Sequence, residues 1–252
     1  MKGLWCAKMR CAKRLFALFS MILIFSTVGY SAMAMNTGYS TEPLPEKDVD
    51  AIIENIELSF LTEEPTKDSI VCFAVCEDGN IAIGSQVSEK KTVCIYGADG
   101  DFKHGYTFTD SGSFGIELDS EALIIYFVRG GIAVSVDFNG EITEIAKIQN
   151  TIENNSYWNN VVDAKNKKIG DVEYSIKNNM GVLNLFASSY SQLVAKEANG
   201  QERIIYDIGS IQLLETIFIM VVVILFVGIV AVSIVVQIRK NNEKLNFKSN
   251  SR

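Results

Sequence analysis

An aromatic pair set among amides is the part of this sequence best suited to bind a ligand. Tyr157 and Trp158 lie in residues 154–160, which hold four asparagines and a glycosylation sequon at Asn154. Tyr and Trp rings can stack on a sugar face or anchor a protein partner, because they combine apolar area with a polar edge. The alternative is that Trp158 folds beneath its own loop and covers the core, as large aromatic side chains usually do. Tyr157 and Trp158 are the candidate ligand or partner contacts.

No combination of residues in the sequence specifies a reaction. His104 is the only histidine, and its place near the turn at Asp99 indicates an exposed polar residue. Asp99 and Asp101 could contribute to a loose calcium site, although two acids at a hairpin turn more often shape the turn. We therefore expect no enzyme activity, no cofactor, and no catalytic, cofactor-binding or metal-ligating residue. A hydrolase that uses carboxylates dispersed along the sequence is the remaining catalytic alternative.

Three cysteines follow the N-terminal segment: Cys72, Cys76 and Cys94. If Cys72 and Cys76 share a strand, they lie about 13 Å apart, which is beyond the reach of a disulfide. We expect small buried apolar side chains, and the less favoured alternative is a disulfide between Cys94 and one of the others.

The N-terminal segment has the features of an export signal. Five basic residues precede the apolar run Leu15–Val28, which is shorter than the roughly 20 residues that cross a bilayer. Small residues at Ala32 and Ala34 suit a signal peptidase. Residues 1–34 are therefore predicted to be a signal peptide cleaved after Ala34, with retention as a first membrane anchor as the alternative.

A second apolar segment lies near the C-terminus. Thr216–Val236 has 21 residues without a charge, sixteen of them Ile, Leu, Phe or Val. Lipid enforces a helix in spite of this β-branched composition, because only a helix satisfies its own backbone there. Residues 212–238 are predicted as a transmembrane helix, and the basic tail 239–252 is predicted to be cytoplasmic by the positive-inside rule. We expect a single-pass, bacterial-type protein of the cell membrane whose N-terminal domain lies outside.

The exported part is strongly acidic. Residues 35–215 hold 13 basic and 29 acidic residues, a net charge of −16. Such a surface repels phosphate, which excludes nucleic acid as a partner and argues against docking onto anionic lipid. Solubility outside the cell explains the charge more simply than an acidic binding face does.

Two kinds of pattern follow one another in the exported part. Residues 35–69 are predicted as a linker and an amphipathic helix, because Lys47–Leu61 has apolar residues at helical spacing. Residues 70–211 are predicted as a β-rich extracellular domain, since the apolar period there is two and the turns are Asn-Gly or Asp-Gly.

Three of these turns divide the β-rich domain into similar units. Gly100, Gly140 and Gly200 each follow Asp or Asn and an apolar stretch. Their spacings of 40 and 60 residues predict two adjacent units and a third unit after an insertion of about 20 residues. An aliphatic residue stands seventeen positions before each glycine: Ile83, Leu123 and Leu183.

Each of the first two units offers four strands. The first unit offers Val71–Val75, Ile81–Ser85, Thr92–Tyr96 and Phe102–Phe108. The second offers Phe114–Leu118, Ala122–Val128, Ile132–Asp137 and Glu141–Ile148. In spacing and turn chemistry, Ile70–Ile208 resembles the repeats of NHL-like and YVTN-like β-propellers. The resemblance implies blades and a binding module, and it supplies no catalytic residues.

Three blades are too few to close a ring, which usually takes four to eight. The predicted fold is mainly β, with about three antiparallel propeller-like blades in an incomplete ring, one N-terminal amphipathic helix and one C-terminal transmembrane helix. The Lys47–Leu61 helix could cover the open edges, a homodimer could complete the ring, or the sheets could form a sandwich or an open stack.

The function expected from these features is a membrane-anchored extracellular binding module. The bilayer holds residues 216–236, and loops on a rigid sheet scaffold bind an extracellular protein or a glycan. The alternative is a structural subunit of a membrane or cell-surface complex.

Overall fold

The computed structural model describes residues 35–187 and 189–249, except for the side chains of Phe186 and residues 239–249. The predicted signal peptide, residues 1–34, lies outside the described residues. The chain divides into two compact units after Asn36, and every strand described below belongs to the second unit.

The second unit contains fourteen described strands and three described α-helices. The helices are α1 (Glu46–Ile56), α2 (Ile152–Tyr157) and α3 (Gly209–Ser249). The strands are β1 (Thr41–Pro43), β2 (Ser59–Leu61), β3 (Ile70–Val75), β4 (Ile81–Val87), β5 (Lys90–Tyr96), β6 (Phe102–Thr109), β7 (Phe114–Leu118), β8 (Ala122–Phe127), β9 (Ile132–Asp137), β10 (Ile142–Ile148), β11 (Asn166–Ile169), β12 (Val172–Lys177), β13 (Gln192–Lys196) and β14 (Glu202–Asp207).

The strands form three antiparallel sheets that do not close into a ring. Sheet 1 has the order β2-β6-β5-β4-β3, sheet 2 has β1-β10-β9-β8-β7, and sheet 3 has β11-β12-β13-β14. Each sheet is thus a meander of four consecutive strands, and sheets 1 and 2 each gain a short fifth strand. The eight strands predicted for the first two units are all present, with ends within two residues of those predicted.

The third unit departs from the predicted spacing. Asn199 and Gly200 do form the turn between β13 and β14, as in the first two units. Leu183, however, lies in the 3₁₀ segment Gly181–Phe186 rather than in a strand. A long loop separates β12 from β13, so the position seventeen residues before Gly200 no longer falls on the sheet.

The amphipathic helix is shorter than predicted, and strands cover the sheet edges in its place. Helix α1 ends at Ile56, Glu57 adopts a left-handed conformation with φ 50°, and Ser59–Leu61 continues as β2. The strands on either side of α1 extend the outer edges: β1 pairs with β10 and β2 pairs with β6. A paired strand satisfies the backbone groups of an edge directly, whereas α1 contributes apolar side chains to the core.

The outer edge of sheet 3 gains no added strand among the described residues. The edge strand β14 is bulged at Ile205, since Val194 pairs with Ile204 while Leu193 pairs with Tyr206. The side chain of Arg203 also donates a hydrogen bond to the Ala98 carbonyl of sheet 1. A bulge makes an edge a poorer template for another chain, although it does not cover it.

Sheet 1 is the middle layer and is buried on both faces. One face packs against sheet 2 and the other against sheet 3, in two separate apolar clusters. This double burial explains why β3 is a continuous apolar run rather than an alternating one.

Cys72, Cys76 and Cys94 are buried and free, as expected. Cys72 and Cys76 belong to the cluster between sheets 1 and 2, whereas Cys94 belongs to the cluster on the opposite face of sheet 1. Burial raises the pKa of the Cys72 thiol to about 12 and that of Cys94 to about 11. Both thiols therefore stay protonated and act as small apolar side chains.

His104 is half-buried among aromatic rings rather than exposed. Its ring stacks on Phe60 of β2 with centroids 5.5 Å apart, and Tyr106 and Phe138 lie at 5.6 Å and 5.4 Å. Its Nε2 atom is buried and has no hydrogen-bond partner among the described residues. Burial, with a smaller contribution from Lys103, lowers the pKa of His104 below its ordinary 6.5.

Acid should therefore weaken the fold through this one histidine. The unfolded chain binds the proton at higher pH than the folded chain. The free energy of unfolding therefore keeps its full value above about pH 6.5, as far as His104 is concerned, and falls as the pH drops below it. Thermal unfolding of the full chain in detergent between pH 7.5 and 5.5 measures the effect. Because the chain has one histidine, His104→Phe should remove most of this dependence. An equal pH dependence in both proteins would contradict the prediction.

Helix α3 begins two residues after β14. Gly209–Ile238 is long and apolar enough to cross a membrane, and its most apolar stretch is not buried against the rest of the described structure. It starts three residues earlier than the predicted segment 212–238.

Candidate functional site

Residues 151–162, in the insertion between β10 and β11, pack on the face of sheet 2 that is turned away from sheet 1. Helix α2 is capped by Thr151, whose Oγ1 accepts a hydrogen bond from the Asn154 amide at 3.1 Å. A π-helical segment, Trp158–Val162, continues from α2. A Cβ atom on Gly115 of β7 would lie 2.8 Å from Trp158 and 2.5 Å from Val162. The missing side chain at Gly115 lets the Trp158 ring pack directly on the sheet.

Asn154 joins α2 to the chain before β1. Its side chain is 4% exposed. The Oδ1 atom accepts from the Ser40 amide at 3.0 Å, and Nδ2 donates to the carbonyls of Ser40 and Gln149 at 3.0 Å and 2.7 Å. A glycan on Nδ2 would displace these hydrogen bonds, so the sequon at Asn154 is not a glycosylation site in the folded domain.

Hydroxyl groups converge on one carboxylate beneath α2. Tyr126, Tyr157 and Thr37 all donate hydrogen bonds to Glu117 of β7. The ring of Tyr39 packs between Tyr126 and Tyr157, with centroids 4.7 Å and 4.9 Å away. Burial, strengthened by Glu117, raises the pKa of Tyr126 and Tyr157, so both phenols remain protonated donors. This cluster fixes α2 against sheet 2.

A cavity of about 390 Å³ opens beside this cluster, and we call it the Trp158 cleft. Its size falls within the range of small-molecule sites, roughly 300–1,000 Å³. The described residues that line it include three aromatic side chains, four amide side chains and one cation, and none of them is a carboxylate. The residues that characterise the lining are Tyr39, Tyr126, Trp158, Arg129, Asn150 and Asn155.

The polar groups of the cleft are available to a ligand. The side chains of Asn150 and Asn155 are exposed and make no hydrogen bond to the described part of the chain. Arg129 is held at the cleft by a 2.9 Å hydrogen bond from Nη1 to the Ser111 hydroxyl. Amide and guanidinium groups beside an aromatic face can bind a ligand that has both hydroxyl groups and an apolar ring face.

A second cavity, of about 310 Å³, is lined by residues of β3, β7 and β11, one strand from each sheet. Lys167 of β11 lines it, lies over the Phe73 ring and donates to the Val162 carbonyl at 3.2 Å. Burial lowers the pKa of Lys167. Among the described residues, no cluster of three or more His, Cys, Asp or Glu side chains could hold a metal ion.

The structure places the two predicted contact residues differently. Trp158 lines the Trp158 cleft while its ring also packs over Gly115, so the ring covers the sheet and the ligand contact stays a prediction. Tyr157 is the last residue of α2, and its hydroxyl donates a hydrogen bond to Glu117 of sheet 2. No local pattern pointed to Glu117, Arg129 or Tyr39, which come from a strand, a hairpin turn and the linker.

Comparison with protein-family models, with curated proteins and with solved structures finds no match to this chain. The likeness to NHL-like and YVTN-like propellers therefore stays a resemblance of spacing and turns.

Proposed function

We propose that this protein is a membrane-anchored extracellular binding module that holds a glycan in the Trp158 cleft. The observation that carries the proposal is the lining of the cleft, which combines aromatic side chains with the side-chain amides of Asn150 and Asn155, neither of which has a hydrogen-bond partner in the described structure. Sugar rings stack on aromatic faces through their C–H groups while their hydroxyls pair with amides. The absence of a carboxylate from the lining favours binding over glycoside hydrolysis, which commonly uses a pair of carboxylates.

The surrounding fold supports this proposal. Three sheets buried against one another give a rigid scaffold, and the cleft is built from the insertion and the turns that the scaffold holds. Helix α3 is long and apolar enough to serve as the membrane anchor of this proposal, and the positive-inside rule applied to the basic tail supports an orientation with the cleft outside the cell.

Trp158→Ala should abolish most of the glycan binding. Loss of a tryptophan anchor typically costs about 2 kcal/mol or more, which is a roughly 30-fold weaker Kd. The full chain, reconstituted in lipid nanodiscs, is screened on a glycan array, and the Kd for the glycans that bind is measured by calorimetry. Circular dichroism checks that the variant folds, because Trp158 also packs on Gly115.

A matched pair of asparagines separates binding from folding. Asn155 lines the Trp158 cleft, whereas Asn160, five residues further along, lines the second cavity. Asn155→Ala should weaken glycan binding several-fold, and Asn160→Ala should leave the Kd unchanged. If the wild type captures no glycan, or if Trp158→Ala and Asn155→Ala bind as the wild type does, the glycan proposal is wrong.

The uncovered edge of sheet 3 favours a second candidate, a structural subunit of a membrane complex. The described residues supply an added strand to the outer edges of sheets 1 and 2 but not to β14. A strand from a partner, or from a second copy of this chain in a homodimer, could pair there. Cross-linking of the C-terminally tagged chain in intact cells, followed by mass spectrometry, tests this candidate. One abundant partner whose capture is lost when Ile204 is changed to proline would support it.

A further inference from the structure

The loop between β12 and β13 exposes apolar side chains at one end of the domain. Val182 and Leu185 are 84% and 85% exposed. Residues 178–195 contain no charged residue, although the exported part as a whole is strongly acidic. Large apolar side chains that are this exposed cost free energy in water, and such patches often mark a contact surface.

This loop lies beside the start of the apolar span of α3. The Thr216 hydroxyl is 3.7 Å from the Met180 sulfur, and Thr216 is the first residue of the uncharged run. One turn earlier, Gln212 is buried and its Nε2 donates to the Ser189 carbonyl at 3.1 Å. These contacts hold the loop at the level where α3 would enter a bilayer.

Some backbone groups of the loop form hydrogen bonds within the loop itself. The amides of Leu183 and Ala187 donate to the carbonyls of Met180 and Asn184, both at 3.2 Å. The Asn184 side chain accepts from the Met180 amide at 2.9 Å. Internal hydrogen bonding of this kind lowers the cost of moving a backbone segment out of water.

We infer that the apolar loop, Gly181–Leu185, inserts Val182 and Leu185 into the outer leaflet of the membrane. The inference rests on the membrane anchoring in the proposed function, because the leaflet is the surface continuous with α3. The domain then touches the bilayer at two places, the helix and the loop, and a two-point contact fixes its orientation. The contact is apolar and recognises the acyl region, so it needs no anionic headgroup.

Fluorescence quenching by brominated lipid tests this inference. The full chain carries Trp5→Phe and Trp158→Phe, so that a single introduced tryptophan reports its own surroundings. Leu185→Trp is the test variant. Ile152→Trp is the matched control, because Ile152 is also 84% exposed but lies on α2. Each is reconstituted into vesicles of phosphatidylcholine brominated near the top of one acyl chain, and Val182→Trp provides an independent second position.

Insertion predicts that brominated lipid lowers the Leu185→Trp and Val182→Trp emission about twofold, as expected for a side chain 5–10 Å into the interface. The Ile152→Trp emission should not change. If the loop variants are quenched no more than Ile152→Trp while the chain resists carbonate extraction, the loop inference is wrong and the anchoring stands. If carbonate releases the chain from the vesicles, the anchoring and the loop inference both fail.

Discussion

Replacement of Asn154 by alanine should lower the melting temperature of the domain by roughly 10 °C. The Asn154 side chain is buried and makes three hydrogen bonds to the backbone of Ser40 and Gln149. Alanine leaves the Ser40 amide without this partner and removes one bond from each carbonyl. At about 1 kcal/mol for each bond the loss is about 3 kcal/mol. For a domain of this size, each kcal/mol corresponds to about 2–4 °C.

The neighbouring asparagine is the control for this prediction. Asn155 is exposed, and its side chain makes no hydrogen bond to the described part of the chain. Asn155→Ala should therefore change the stability by less than about 0.5 kcal/mol. Both variants, as full chains in detergent, are compared by thermal unfolding with near-ultraviolet circular dichroism. Equal melting temperatures for the two variants would show that Asn154 does not hold α2 to the linker.

Removal of the Glu117 carboxylate should destabilise the domain by a similar amount and also weaken glycan binding in the Trp158 cleft. Tyr126 is fully buried, and Glu117→Ala leaves its hydroxyl with only Thr37 as a partner. The same change releases Tyr157, which ties α2 to sheet 2. Hydrogen bonds to a charged group contribute about 1.5–3 kcal/mol each, so we expect a loss of about 3 kcal/mol after relaxation.

Two further variants separate the acceptor role of Glu117 from its charge. Glu117→Gln keeps one acceptor oxygen and should lose less stability than Glu117→Ala. Glu121→Ala, at an exposed position at the start of β8, should be neutral. Thermal unfolding gives the stabilities, and calorimetry gives the Kd for any glycan that the wild type binds. If the Glu117→Ala protein has the same melting temperature as the wild type, the carboxylate is not the acceptor that holds these hydroxyls.

Most of the sheet structure was predictable because its signals are local. The Asp-Gly and Asn-Gly turns at Gly100, Gly140 and Gly200 need positive φ, and all three glycines have φ between 85° and 93°. The apolar stretches between the turns then fix the strands. The same reasoning failed for Leu183, because the length of the loop between β12 and β13 is not set by a local pattern.

The short strands β1 and β2 could not be read from the sequence. Each has only three residues, and its stability comes from the edge that it meets: Thr41 pairs with Ile148, and Ser59 with Thr107. The helical spacing of Lys47–Leu61 runs into β2, so periodicity alone extended the helix too far.

The residues of the candidate site divide in the same way. Trp158 was recognisable from its own neighbours in sequence, since an aromatic side chain among asparagines suits a loop that binds. Glu117 looked like the ordinary polar position of a strand, and the tyrosine that reaches it from α2 lies 40 residues away. Such groupings depend on the packing of α2 on sheet 2, which no local pattern encodes.

The direct passage from β14 into α3 limits how far the protein can reach. Only Ile208 separates the two elements, and its amide is itself bonded to the Ser191 carbonyl. A domain on a flexible stalk would sweep a wide volume, whereas a domain joined this closely to a membrane-spanning α3, as we propose, would stay within its own thickness of the bilayer. Under the proposed function, the ligand would therefore have to come to the membrane surface, either as part of the envelope of the same cell or by diffusing to it.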